Sequence, residues 1–153
     1  MREANSAVLR PMRPEDLEKV LAMLRNAKLP LHGVAEGLHA FIVAESGGRI
    51  VGVAGLERYG RYGLLRSVAV ARDWRGRGLG SSLTRKALDL ASRERLAAVY
   101  LLTETAADYF PRHGFERIPR SEVADAVKAS AEFREVCPEG AIAMVCSLAH
   151  PEG

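Results

Sequence analysis

Cysteine is scarce in this chain. Two occur in 153 residues, Cys137 and Cys146, nine positions apart. They make no disulfide framework, and neither a CxxC pair nor a Cys/His zinc spacing is present, so both are expected as buried, reduced thiols. The four histidines, His32, His39, His113 and His150, form no HxxxH or HExxH pattern, and no metal site is expected. No apolar run approaches the ~18 residues that a membrane helix needs. The opening MREANSAVLRP lacks an apolar stretch of signal-peptide type, which points to an intracellular, cytoplasmic protein. Charge of one sign is in small excess only: 22 Lys and Arg stand against 19 Asp and Glu, a formal net charge of +3. The basic residues are not gathered in one block, so neither nucleic acid nor a membrane is expected as a partner.

What is present suits a globular fold. The chain is 48% hydrophobic and 27% charged, near the norm for a folded protein. Its length predicts one domain, residues 1–153, able to bury roughly 70% of its unfolded surface. No repeat, low-complexity linker or internal boundary interrupts it.

The order of elements reads as mixed α/β (α+β). Val8 to Arg10 forms a short strand. Arg13-Pro14-Glu15-Asp16 opens a helix, since Pro suits the first turn and the acids suit the dipole there. Leu17, Val20, Leu21 and Leu24 repeat at helical spacing. Val34 to Leu38 is a second, shorter helix. Phe41 to Ala44 and Ile50 to Leu56 flank Gly47-Gly48 as a hairpin. A turn at residues 59–63 leads to a further strand through Leu64-Leu65 and Val68-Ala69-Val70, which completes an antiparallel meander. Leu79, Leu83, Ala87, Leu90 and Ala91 trace a helical face. Val99 to Leu102 is a strand, Ala106 to His113 a helix capped by Gly114, and Phe115 to Ile118 a strand. A helix from Ser121 and a closing strand from Ala141 to Leu148 complete the pattern. Flanking helices around a mixed central sheet are expected.

The informative segment runs Val68-Ala69-Val70-Ala71-Arg72-Asp73-Trp74-Arg75-Gly76-Arg77-Gly78-Leu79-Gly80-Ser81. It is a strand, a basic glycine-rich loop and a helix start. The first amides of a helix have no carbonyl partner within it and sit at the positive end of its dipole. Glycine lets backbone N–H groups approach an anion without a Cβ in the way. Arg75 and Arg77 add charge, so the segment predicts a phosphate or pyrophosphate cradle. A Walker loop is excluded: the nearest spacing, Gly55 to Gly60, lacks the Lys and the hydroxyl residue. A dinucleotide fingerprint would need glycine at Ser81 and an early βαβ unit. The plain alternative is a tight strand-to-helix turn that binds nothing.

Arg75-x-x-Gly78-x-Gly80, preceded by Val68-Ala69-Val70, resembles the acyl-CoA pyrophosphate loop of the GNAT acetyltransferase superfamily. Ala106 to Phe115 resembles that family's AxxFYxxxGF segment, and the element order is similar across nearly the whole chain. Gly55-Leu56-Glu57, Leu64-Leu65-Arg66-Ser67, Leu102-Thr103, Tyr109-Phe110 and Cys137-Pro138 resemble a subgroup related to the acetyltransferase module of N-acetylglutamate synthase. That subgroup includes proteins labelled arsenic-resistance N-acetyltransferases. The resemblance implies acetyl-CoA as co-substrate, entering where the fourth and fifth strands part. Pantetheine would run along Val68, Ala69 and Val70, and pyrophosphate would meet Arg75, Gly76, Arg77, Gly78, Leu79, Gly80 and Ser81. It implies a small-molecule amine as acceptor, an amino acid or a toxic analogue, attacking the thioester directly. Backbone N–H on the fourth strand would polarise the carbonyl. Homodimers are common in the family, and the motifs locate no interface. Two competing readings are protein or peptide N-acetylation and a non-catalytic CoA-binding module.

Two departures from the family pattern bear on mechanism. Phe110 stands where many members carry a Tyr that protonates the departing thiolate, and is expected to wall the CoA. Its neighbour Tyr109 points about 100° away on a helix and is expected to pack under the sheet. Many members also carry a Glu near the start of the fourth strand, where this chain has Leu64, Leu65, Arg66 and Ser67. Glu57, on the face of Val51, Val53 and Gly55, is the candidate base, because an ammonium must lose a proton before it attacks. The alternative for Glu57 is a strand-end partner for Arg58 or Arg66. Arg66, a charge inside an apolar strand, either forks onto a substrate carboxylate or pairs with Glu57. Cys137 raises thiol chemistry, against the stronger expectation of a structural thiol.

Overall fold

A computed structural model describes residues 6–130, 133 and 141–148. Cys137 lies outside them. The described strands form one seven-stranded sheet in the order β1-β2-β3-β4-β5-β7-β6. They are β1 Val8–Pro11, β2 Phe41–Ser46, β3 Arg49–Tyr59, β4 Tyr62–Val70, β5 Ala98–Thr103, β6 Glu116–Ile118 and β7 Ile142–Ser147. The helices bounded by described residues are α1 Leu17–Asn26, α2 Leu79–Arg93 and α3 Asp125–Lys128. This is the expected mixed α/β architecture. β1 and β2, and β2 and β3, pair antiparallel; β4 and β5 pair parallel, with register Tyr62↔Ala98 through Leu64↔Tyr100. β7 pairs antiparallel with both β5 and β6.

The chain divides into two compact units. The first holds the described residues up to Gly55 together with Ser67–Ala87, and the second holds Leu56–Arg66 and the described residues from Leu88 onward.

In the first unit, turn chemistry and periodicity act as expected. Gly47 and Gly48 carry φ of 58° and 78°, the left-handed pair that a tight two-residue hairpin turn requires. Val20 and Leu24 of α1 are fully buried among Val34, Phe41, Val43 and Val53, each worth about 1.5–3 kcal/mol of transfer free energy. Arg10 of β1 anchors the entry to α1 with a bidentate grip on Asp16, at 2.8 and 3.0 Å, and also donates to Glu45 of β2 at 2.8 Å. Asp16 further accepts the Arg13 amide at 2.8 Å. The core of the second unit gathers Leu64, Ala98, Tyr100, Val123, Val127 and Ala143, with Tyr59, Tyr62 and Phe133 packed against it.

Three expected helices differ. Residues 33–37 are turns, followed by a 3-10 turn at Leu38–Ala40, because Gly33 takes φ 79° and Gly37 flanks it. Residues 107–109 are also turns, and only Phe110–His113 winds, as a 3-10 turn. Pro111 lacks the N–H that a longer helix would use there. The helix expected from Ser121 begins at Asp125: Arg120–Glu122 is a 3-10 turn, and Val123 is extended at φ −69°, ψ 140°.

Candidate active site

The glycine loop grows out of the end of β4. The Ala71 amide donates to the Val51 carbonyl at 2.8 Å, and Arg72–Trp74 turns the chain as a 3-10 segment. Trp74, only 6% exposed, is the anchor. The Arg77 guanidinium stacks 4.7 Å above its ring, and Arg75 Nε reaches back to the Val70 carbonyl at 3.3 Å. Gly76 and Gly78 take φ of 80° and 84°, and a Cβ on either would meet nothing within 4 Å. Backbone conformation, then, and not crowding, demands glycine at both positions, and their outer faces are open to a ligand. The Ser82 amide donates to the Gly78 carbonyl at 3.0 Å, which makes Gly78 the cap of α2. Leu79, Gly80 and Ser81 form the first turn, the end that favours anions. Two arginines, left-handed glycines and a helix start are a donor set suited to a pyrophosphate.

The seat of α2 is set by Gly52 on β3. A Cβ there would lie 2.8 Å from Leu83 Cδ1 and 3.2 Å from Leu79 Cδ2, so glycine allows the close approach that fixes the helix start. Beside the loop, a cleft of about 280 Å3 is lined by Ala7, Leu9, Trp74, Arg77, Leu79 and Ser82.

Strand β4 is irregular at a point that no local sequence signal marks. Ser67 is buried and takes φ 61°, a left-handed conformation that non-glycine residues seldom adopt inside a strand. Gly63 to Ser67 are buried without a break before alternation resumes at Val68, Ala69 and Val70. The irregularity re-aims the backbone just ahead of these three residues.

In the second unit, Arg66 and Glu57 meet. Arg66 Nη1 donates to Glu57 Oε2 at 3.0 Å, and Tyr59 Oη donates to Glu57 Oε1 at 2.6 Å. The pairing open in the sequence is therefore formed. Burial, and then the bond to the Glu57 carboxylate, push the Tyr59 phenol well above its ordinary range, while a hydrogen bond from Ser130 acts in the opposite sense.

Phe110 is buried as expected, edge-on to Tyr109 and to Phe115 at centroid distances of 5.2 and 5.7 Å. Tyr109 is half-buried rather than packed away. Its hydroxyl lies 3.3 Å from His113 Nε2, and the Arg112 guanidinium sits 4.6 Å over its ring. Cys146 is buried, and burial raises its thiol above the ordinary value.

Arg75, Gly76, Arg77, Gly78, Leu79, Gly80 and Ser81 follow Val68, Ala69 and Val70 in the first unit, and Glu57, Arg66 and Phe110 belong to the second, where Glu57 and Arg66 are in contact. Sequence reasoning missed Trp74 and Ser67 as contributors, and took Tyr59 for a substrate lid or a turn surface rather than a partner of Glu57. A lone Trp directly before an arginine–glycine run was a usable signal for the first; nothing local marks Ser67. Among the described residues, no group of three or more His, Cys, Asp or Glu side chains is placed to hold a metal ion. None of the described helices is long and apolar enough to cross a membrane.

The comparisons with known proteins agree with this geometry. The model of the acetyltransferase (GNAT) domain matches residues 37–117, just over half the chain. The chain belongs to the GNAT family of acetyl-CoA-dependent acetyltransferases. An uncharacterised N-acetyltransferase of Chlorobaculum tepidum, CT2212, is 29% identical over 94 residues, which cover 61% of this chain and 60% of that protein. The uncharacterised protein YwlB of Bacillus subtilis is 31% identical over 141 residues, covering 89% of this chain and 94% of YwlB. The crystal structure of Rv2747 from Mycobacterium tuberculosis, in complex with CoA and a ligand designated NLQ, superposes with a TM-score of 0.81 at 25% identity, covering 93% of this chain and 99% of that one.

Proposed function

We propose that the protein transfers the acetyl group of acetyl-CoA directly to the amine of a small molecule, and that the acceptor is an amino acid or a toxic amino-acid analogue. The observation that carries the transfer is the Glu57 carboxylate, 18% exposed and held at 3.0 Å by the Arg66 guanidinium, which is 1% exposed and engaged with Glu57 rather than open to a substrate carboxylate. An acceptor ammonium suits that carboxylate. The resemblance to the N-acetylglutamate synthase-like and arsenic-resistance subgroup supports the amino-acid class, and the likeness to a protein solved with CoA supports the co-substrate. The sequence reading puts the reaction in the cytoplasm, in one domain, with a homodimer as the family's common assembly.

The roles follow from chemistry. Arg75 to Ser81 hold the pyrophosphate through backbone N–H groups and arginine charge. Val68, Ala69 and Val70 offer strand edges to the pantetheine amides, and Phe110 supplies an apolar wall. Glu57, directly or through a water, takes a proton from the substrate ammonium. The freed nitrogen forms a bond to the thioester carbon as the carbon–sulfur bond breaks, the thiolate departs with the electron pair, and the second proton that the nitrogen sheds on becoming an amide passes through solvent to the thiolate. Backbone N–H of β4 stabilises the charge developing on the carbonyl oxygen. With Phe110 in place of a tyrosine acid, the reaction leans on deprotonating the amine.

A panel of amino acids and their analogues, read by free CoA release, tests this reading. The expected result is turnover of at least one such amine, lost on the order of 10²–10⁴-fold in kcat in Glu57→Gln with acetyl-CoA binding nearly unchanged. Equal turnover of an amine with and without its carboxylate overturns the amino-acid class of the acceptor. Turnover of peptide N-termini alone, or none with any amine, favours protein acetylation or a CoA-binding module.

A further inference from the structure

We infer that Tyr59 is the positioning residue for Glu57. The inference rests on the role proposed above for that carboxylate and adds what fixes its geometry.

Tyr59 Oη donates to Glu57 Oε1 at 2.6 Å, into a carboxylate that can only accept. Charge-assisted bonds into a carboxylate are the strong kind.

The geometry explains why Glu57 needs this. Residues two apart on a strand share a face, which brings the Tyr59 hydroxyl to the near oxygen. Arg66 on β4 holds the other oxygen at 3.0 Å. The carboxylate is pinned at two points from two strands, and each oxygen keeps a second lone pair for an incoming proton. Tyr59 packs against the cluster that holds Leu64, Tyr100 and Val127, which orients its ring. The raised ionisation range of Tyr59 keeps its proton in place across the pH of an assay.

A merely structural tyrosine and a positioning one differ in coupling. With acetyl-CoA and, as acceptor probe, the panel amino acid that the wild type turns over fastest, Tyr59→Phe is expected to lower kcat about 10- to 100-fold, the scale of a small misplacement. KM for acetyl-CoA is expected to stay within about two-fold, because Tyr59 is not among the residues proposed to hold the co-substrate. In a Glu57→Gln background the substitution is not expected to lower kcat further, since it acts through the group already lost. Wild-type kcat in Tyr59→Phe beside an impaired Glu57→Gln overturns the positioning role and leaves the base in place. So does an equal proportional loss in both backgrounds. Near-normal kcat in Glu57→Gln, or a wild type that acetylates no amine of the panel, overturns the proposed function and this inference with it. Should Tyr59→Phe fail to fold, Tyr59→Leu, which also removes the donor, decides the question across the same two backgrounds.

Discussion

Arg66 lies sealed beneath Glu57: the guanidinium is 1% exposed, the carboxylate it holds at 3.0 Å is 18% exposed, and only the anion reaches the boundary with solvent. Removing the cation leaves a half-buried carboxylate with one fewer donor. Removal of one partner from a buried pair costs about 3–5 kcal/mol. Arg66→Ala is therefore expected to lower the urea midpoint markedly, beyond any change in KM. Glu57→Gln, which keeps an acceptor oxygen for Arg66, is expected to cost less. Equal stability of Arg66→Ala and wild type would show that the pair is not held in solution.

The open faces of Gly76 and Gly78 make a sharp test of the loop. Gly78→Glu places bulk and negative charge where the pyrophosphate is proposed to sit, and calorimetry with CoA is expected to show binding lost. Gly78→Ala separates strain from obstruction. Nothing crowds its Cβ, so its cost is that of the left-handed conformation, about 1–2 kcal/mol. Unchanged CoA affinity in the glutamate variant would remove the loop from the site.

Gly52 sets how closely α2 approaches β3. A methyl there lies 2.8 Å from Leu83 Cδ1 and 3.4 Å from the Ala69 carbonyl oxygen. The leucine end can swing, and the carbonyl cannot. Gly52→Ala is expected to cost about 1–3 kcal/mol, as overpacking does, and Gly52→Val more. Thermal denaturation measures it. A neutral or stabilising alanine would mean that the Leu83 side chain re-packs without strain.

Acid stability depends on Asp16. The Arg10 hydrogen bonds, opposed by burial and helped by the Arg13 amide, hold its carboxyl below the ordinary 3.8. A depressed folded-state value gives stability that is complete above the unfolded value and is lost as pH falls through the folded one. Asp16→Asn is expected to be less stable than wild type at pH 7 by about 3 kcal/mol. The difference is expected to shrink below about pH 4, as the wild type loses the same interaction. Urea midpoints of both proteins from neutral to acid pH report it, and a gap constant down to low pH would contradict the linkage.

Much of the fold was legible from spacing alone. The hairpin around Gly47-Gly48, the face of α1 through Val20 and Leu24, and the face of α2 through Leu83 and Ala87 all formed where local pattern predicts. The three helices that came out shorter share a cause. Apolar spacing marks which face is buried, but Gly33 with Gly37, Pro111 and the extended Val123 govern whether the backbone winds there, and each overrode the pattern.

What the sequence by itself determined is what neighbours in the chain decide: the strand–glycine loop–helix segment, the left-handed turns and the family motifs. These depend on residues within a few positions of one another, and backbone sterics enforce them wherever the chain goes. What only the tertiary structure decided is the company that Glu57 keeps. The sequence left Arg66 open between a ligand and a partner and placed Tyr59 in a turn with no sign of its bond to Glu57. Val127, in the cluster that Tyr59 packs against, is 68 positions beyond it, with β4, α2, β5 and β6 between them. Contacts of that range form only once burial brings separate elements onto one face of the sheet. There, out of bulk water, each hydroxyl and carboxylate has to find its donor or acceptor within the protein.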